Sequence, residues 1–214
     1  MERAVARIRH DIVAGAYAPD ARLGINDMVE RYGIGATPIR EALSRLTAAG
    51  LVHAVGNRGF RVPAMSRHDL EDITRLRQLV EGEALRESIA RGDDEWEAGI
   101  VAALHRLRNA AAASEPGVDA DVTTIDRTHK RFHTSLIAAC GSQRMLDLHD
   151  TLYDQAFRYR SVMVRGLVHP RSFPEVHVAL AEVVLKRNPA RACAALSQHL
   201  ALTVPAVYGD EEGR

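Results

Sequence analysis

Ten histidines stand in this chain of 214 residues, and four of them are spaced as metal ligands are. His129 and His133 lie four apart in a helical stretch, so they project from one face and can chelate one ion. His177 and His199 fall in two later helical stretches, His199 beside Leu196 and Leu200. An i,i+4 pair plus one histidine from each of two further helices is how a bundle builds a metal site in its interior. Alone, the His129/His133 pair is a weak signal, because charged helices often place two histidines on a wet face. His10, His53, His68, His105, His149 and His169 occupy polar or boundary positions and read as solvated imidazoles. The run from Gln155 through Arg158, Tyr159 and Arg160 offers cations and a phenol to an anionic ligand. It reads equally as an amphipathic helix with exposed arginines.

A second chemistry lies in the basic N-terminal third. Residues 1–65 hold nine arginines and no lysine against six acids, a net +3; the remainder has 19 cations against 22 acids, a net −3. Arginine forks suit phosphates and guanine edges, and also buried carboxylates. With 46% hydrophobic and 26% charged residues the chain is neither disordered nor of low complexity. No apolar run approaches the roughly 18 residues of a membrane helix, and charges from Glu2 to Asp11 leave no room for a signal-peptide core. The two cysteines, Cys140 and Cys193, sit far apart in apolar stretches. That usage fits a reducing cytoplasm.

The elements that must position these groups follow from periodicity and punctuation. Val5, Ile8, Ile12 and Val13 recur at helical spacing up to Gly15. Asn26 can cap a short helix carrying Met28, Val29 and Tyr32, and Gly33-Ile34-Gly35 is a tight turn. Thr37-Pro38 places a capping hydroxyl before a first-turn proline, followed by Ile39, Ala42, Leu43 and Leu46. Helix, glycine turn and second helix form a helix-turn-helix pattern. Leu51–Val55 and Phe60–Pro63 around Gly56-Asn57-Arg58-Gly59 read as a hairpin, the wing. After a linker at Pro63–Ser66, with Ser66 and Asp69 spaced as a capping box, six helices are predicted, over about 66–91, 93–112, 119–140, 142–165, 173–187 and 189–203. Pro116-Gly117, Gly166 with Pro170, and Asn188-Pro189 punctuate them, and Ser172 with Glu175 resembles another capping box. The expected fold is mainly α: a winged helix-turn-helix over 1–65 and a six-helix antiparallel bundle over 66–214. A helix-turn-helix inserts the start of its second helix into the major groove, which puts Thr37 and Arg40 at DNA, with Arg45 a turn on and Arg58 at the hairpin tip.

The run from Gly33-Ile34-Gly35-Ala36-Thr37-Pro38-Ile39-Arg40-Glu41-Ala42-Leu43 through Arg45-Leu46, Gly50-Leu51-Val52 and Gly59-Phe60-Arg61-Val62 closely resembles the winged helix of the GntR family. The resemblance implies a dimer whose two winged helices bind a pseudo-palindromic operator in double-stranded DNA. It assigns base or phosphate contacts to Thr37, Arg40 and the wing at Arg58-Gly59. One departure is Ala36, where the family commonly has a DNA-contacting arginine; the segment Gly24-Ile25-Asn26-Asp27 departs as well.

Residues 69–203 resemble the FCD ligand-sensing domain of the FadR-type GntR subfamily. The matching features are Arg77…Glu81, Phe132-His133…Ala138…Gly141-Ser142, Glu175-Val176-His177…Ala181 and Ala195…His199-Leu200. The resemblance implies a divalent metal on His133, His177 and His199, which grips the carboxylate of a small organic acid. Arg77 matches the arginine that clamps such an anion, although an Arg77–Glu81 i,i+4 pair reads the same residue structurally. The family's aspartate is His129 here. An all-imidazole set favours zinc or nickel over calcium or magnesium. Asp126, one turn earlier, is placed either to orient His129 or to stay solvated.

These readings converge on a cytoplasmic, homodimeric, non-enzymatic regulator that binds operator DNA and senses a small carboxylate through Arg77, Tyr159 and a metal. One alternative is a metalloregulator for which Zn²⁺ or Ni²⁺ is itself the signal. The other is a metal-dependent hydrolase, against which stands the lack of a general base or nucleophile motif beside the histidines.

Overall fold

The computed structural model describes residues 2–56, 59–113, 122–163 and 173–209. The hairpin tip with Arg58, the Pro116-Gly117 break, the segment 164–172 with His169, and the proposed Ser172 cap lie outside the described residues. The N-terminal unit starts with α1 (Glu2–Val13), which buries Ala4, Ile8, Ile12 and Val13 at i,i+4 spacing. β1 (Arg22–Leu23) leads into α2 (Ile25–Tyr32) and α3 (Ala36–Ala48). The turn between them needs Gly33, whose φ of +64° closes α2 with its N–H on the Val29 carbonyl. β2 (His53–Ala54) and β3 (Phe60–Arg61) form the hairpin, and β1 adds to β3, giving the antiparallel order β1-β3-β2. Ile39, Ala42, Leu43 and Leu46 turn one face of α3 inward.

Three details differ from the sequence reading. Gly24, not Asn26, occupies the cap of α2. α3 begins at Ala36 behind Gly35, so Thr37 and Pro38 lie within its first turn. That turn has no intrahelical partners for its N–H groups, so a proline fits at any of its first positions. β1 was not foreseen, since two residues carry no alternation to read.

The helical part runs α4 (Arg67–Arg91), α5 (Asp94–Ala112), α6 (Val122–Leu136), α7 (Gln143–Met163), α8 (Phe173–Leu185), α9 (Pro189–Ala201) and α10 (Thr203–Tyr208). Ser66, Asp93 and Asn188 cap α4, α5 and α9 by accepting the N–H groups of Asp69, Trp96 and Arg191. Leu85, Ile100, Phe132, Leu136, Leu180, Val184, Leu196 and Leu200 fill the core between α4, α5, α6, α8 and α9. α10 is a seventh helix here, beyond the six expected. Its Val204, Val207 and Tyr208 cover Leu70, Ile73 and Tyr159. Among the described residues no helix is long and apolar enough to cross a membrane.

α7 belongs to both halves. Tyr153 and Phe157 complete the N-terminal core with Ile8, Ile12, Leu43 and Leu46. Gln155 donates to the Ala49 carbonyl at 2.9 Å, and Ser161 to that of Val13 at 2.5 Å. Gly50 is required at this approach: its φ is +68°, and a Cβ would meet Gln155 Nε2 at 2.5 Å. Arg158 is not an exposed arginine. It is buried and donates to the linker carbonyls of Pro63 (2.8 Å) and Ala64 (3.3 Å). Tyr159 is likewise engaged: its hydroxyl accepts the Ser66 N–H at 3.2 Å and donates to the Asp69 carboxylate. The phenol thus threads the capping box at the start of α4.

Arg158→Ala strips the buried Pro63 carbonyl and the part-buried Ala64 carbonyl of their donor, a loss of about 1–3 kcal/mol. We expect a lowered melting temperature and faster limited trypsin cleavage at Arg61 and Arg67, which flank the linker. Cleavage at the wild-type rate would contradict the role given to Arg158.

Candidate metal centre

α6 presents His129 and His133 on one face, α8 brings His177 and α9 brings His199. One nitrogen from each of the four rings lies within 4.8 Å of all the others. His133 Nε2 stands 3.1 Å from His129 Nε2 and 3.3 Å from His199 Nε2. Ligands about 2.0–2.1 Å from a tetrahedral ion stand about 3.3 Å apart, so these separations fit a metal. The rings meet edge to face, with centroids 4.8 Å apart for His129–His177 and 4.6 Å for His177–His199. His129, His133 and His177 are buried and His199 is partly so.

The opposite nitrogens are oriented by other side chains. His129 Nδ1 lies 2.6 Å from the Tyr153 hydroxyl, which donates to Asp126 Oδ1 at 2.8 Å. Because that hydroxyl has a single proton, His129 Nδ1–H is the donor to it, and Nε2 keeps its lone pair toward the cluster. Asp126 therefore acts on His129 through Tyr153. His133 Nδ1 faces Glu81 Oε2 at 3.7 Å. Glu81 Oε1 accepts from Arg77 Nε at 2.7 Å and lies 3.2 Å from His149 Nδ1. His149 is not solvated: it is 1% exposed, its Nε2 3.2 Å from Thr134 Oγ1. The signal for it was the stripe His149, Tyr153, Ala156 and Phe157 at i, i+4, i+7 and i+8, which marks a buried face. Exposed positions do hold His10, His53, His68 and His105.

Burial raises a carboxyl, but the Arg77 guanidinium and the His133 and His149 imidazoles outweigh it and hold Glu81 well below its usual range. Burial also pushes His129 well down, helped by the neighbouring His133 and His177. His133 falls to about 4, burial prevailing over the attraction of Glu81. His199 is lowered too, by burial and then by His133 and His177. All three are neutral at pH 7, the state that ligates. Asp126 rises to about 6 through burial, against the pull of Arg160.

Arg77 is 2% exposed. Its charge is balanced by Glu81, the i,i+4 pair that the spacing allowed. Its Nη2 nevertheless has no hydrogen-bond partner among the described residues. The guanidinium carbon sits 5.3 Å from the centre of the Tyr153 ring.

On the N-terminal unit, Thr37, Arg40 and Arg45 are exposed on the outer face of α3, opposite its buried leucines. No ion pair among the described residues occupies Arg40 or Arg45. Gly59, with φ of +97°, accepts the Val55 N–H at 2.8 Å and closes the hairpin base.

Residues 1–62 match the family described as bacterial regulatory proteins, gntR family, and residues 72–202 match the FCD domain. The chain is 38% identical over 206 residues to the HTH-type transcriptional repressor GlaR of Escherichia coli (strain K12), covering 94% of this chain and 92% of the relative. It is 36% identical over 210 residues to the HTH-type transcriptional regulator BphR of Paraburkholderia xenovorans (strain LB400), covering 97% and 84%. Among solved structures it superposes on E. coli McbR/YncC with a TM-score of 0.80 at 19% identity, covering 96% and 95% of the two chains.

The buried neutral imidazoles set a pH dependence. Below their ordinary value of 6.5 the unfolded chain takes up protons that the folded site refuses, so stability falls as pH falls. Chelator-treated protein should lose melting temperature steadily from pH 7 to pH 5. A flat profile across that window would contradict the buried neutral cluster.

Proposed function

The chain belongs to the GntR family of bacterial regulatory proteins and has an FCD domain, which makes it a transcriptional regulator and not an enzyme; on that premise we propose that it senses a small organic acid through a divalent transition metal. The metal would be held by His129, His133, His177 and His199. One observation carries this reading. Tyr153 takes the outer nitrogen of His129, so that ring turns its Nε2 lone pair inward, 3.1 Å from His133 Nε2 and among the other two imidazoles. Four imidazole nitrogens converging within 4.8 Å offer a cation its ligands, and nitrogen donors alone favour zinc or nickel. A bound ion supplies a Lewis-acidic anchor for a carboxylate. The free Nη2 edge of buried Arg77 supports the second half of the grip.

For DNA, the reading assigns the groove-facing role to Thr37, Arg40 and Arg45 on α3, assisted by the wing at Gly59 and Arg58. The first-turn N–H groups of α3 favour a phosphate. A homodimer follows from the logic of a two-fold operator, since one α3 reads a half-site.

Purified protein grown with Zn²⁺ or Ni²⁺ should hold about one metal per chain by elemental analysis. His133→Ala and His199→Ala should each abolish stoichiometric binding while His105→Ala does not. Metal-free protein from supplemented medium would sink the metal.

Calorimetry of the loaded protein against mono- and dicarboxylic acids should yield a binder, and Arg77→Ala should weaken it at least tenfold. If loaded protein binds none of them, or the variant binds as tightly as wild type, the acid-sensing half fails and the metal itself becomes the signal.

Against operator fragments recovered by sequence selection, Arg40→Ala should cost roughly 1–3 kcal/mol and relax preference at one position at fixed salt. Unchanged affinity and preference would remove Arg40 from the interface.

A further inference from the structure

We propose that Tyr153 is a positioning residue that links the imidazole cluster to the helix-turn-helix: its hydroxyl orients His129, and its ring is part of the N-terminal core. This rests on the metal reading above but assigns a role that none of the metal ligands has.

Three observations meet at this one side chain. First, the hydroxyl stands between His129 Nδ1 (2.6 Å) and Asp126 Oδ1 (2.8 Å), so a single chain of protons fixes which His129 nitrogen faces the cluster. Outer partners of this kind govern metal affinity by fixing ring orientation and raising basicity. Second, the ring is fully buried and belongs, with Phe157 one turn on, to the hydrophobic cluster of the N-terminal unit, which includes Ile8 and Ile12 of α1 and Leu43 and Leu46 of α3. Third, cations surround the ring, with Arg77, Lys130 and Arg160 centred 5.3, 5.4 and 5.3 Å from it. Lys130 is held by Asp150 and Asp154, and Arg9 of α1 pairs with the same two carboxylates.

When His129 turns to meet an ion, the hydroxyl must follow or lose its donor. A ring that moves inside a close-packed core cannot move alone. The shift is therefore shared with α1 and α3, and the acidic pair Asp150/Asp154 ties α1 to α6 on the same side.

The test uses the full chain, stripped of metal, with Zn²⁺ as probe and Tyr153→Phe as the variant, which keeps the ring and removes the proton relay. Zn²⁺ affinity is measured by chelator competition, the site is read in the visible spectrum of the Co²⁺ form, and α1 and α3 are read by amide hydrogen exchange. Wild type should bind Zn²⁺ and slow exchange in α1 and α3. Tyr153→Phe should bind roughly 10–100-fold more weakly, shift the Co²⁺ bands and, at saturating Zn²⁺, protect α6 without α1 and α3. Should that variant fail to fold, Asp126→Leu removes the acceptor of the hydroxyl from outside the core and takes the same readouts. Zn²⁺ binding by wild type with unchanged affinity and spectrum in the variant, or with full α1 and α3 protection in it, overturns the role of Tyr153 alone. Wild type that binds no Zn²⁺ overturns the metal reading and this inference with it.

Discussion

A carboxylate buried as deeply as that of Glu81 has to be compensated by its neighbours, and the arrangement of the helical half follows from how this is done. The effective cost of an uncompensated buried ion is several kcal/mol. Arg77, one turn earlier on α4, supplies the countercharge locally. That leaves a second oxygen and further lone pairs to satisfy, and His149 from α7 and His133 from α6 approach them. Three helices are therefore referred to one pair of oxygens. His133, with Nδ1 on the Glu81 side, has its Nε2 3.1 Å from that of His129 and 3.3 Å from that of His199. The convergence of imidazoles is thus a consequence of the ion pair as much as of the helical spacing of the histidines.

The attachment between the two halves has a different character. Its apolar part is Tyr153 and Phe157 set into the N-terminal core. Its polar part is a row of side chains on α7 reaching backbone carbonyls of the other half: Gln155 to Ala49, Arg158 to Pro63 and Ala64, Ser161 to Val13. A neutral bond of this type contributes about 0.5–1.5 kcal/mol net, and one from a charged donor such as Arg158 about 1.5–3 kcal/mol. Coupling free energies between sites in regulatory proteins run about 1–3 kcal/mol. Remaking one or two such bonds is enough to carry a signal of that size, so the interface needs no larger rearrangement to be responsive.

What was legible in the sequence was what local chemistry decides. The inward face of α3, the cap at Ser66, the break at Asn188-Pro189 and the His129/His133 pair follow from spacing along a single element. His177 and His199 were legible because a histidine within an apolar stripe stands out. What escaped was decided by partners distant in sequence. His149 has the composition of a wet-face residue until Glu81 lies beside it. Arg158 and Tyr159 read as available for ligand until the linker and Asp69 claim them. Tyr153, the residue on which His129 depends, carried no motif at all. α10 escaped for a local reason, because Pro205 and its β-branched neighbours Thr203, Val204 and Val207 resemble a terminus more than a helix.

Histidine rather than a carboxylate at position 129 has a consequence for charge. On the proposed reading, four neutral imidazoles leave a divalent ion its full charge. Glu81 does not offset it, because Arg77 already takes up the Glu81 charge at 2.7 Å. Asp126 stands one residue further out, behind the Tyr153 hydroxyl. The interior is therefore short of negative charge as soon as the metal enters, and a ligand must supply it. A monocarboxylate removes half the excess. A dicarboxylate removes all of it, with one group on the ion and the other on the open Nη2 of Arg77. On that reading the Arg77–Glu81 pair, by cancelling its own charge, would leave the charge of the ion to be met by the acid.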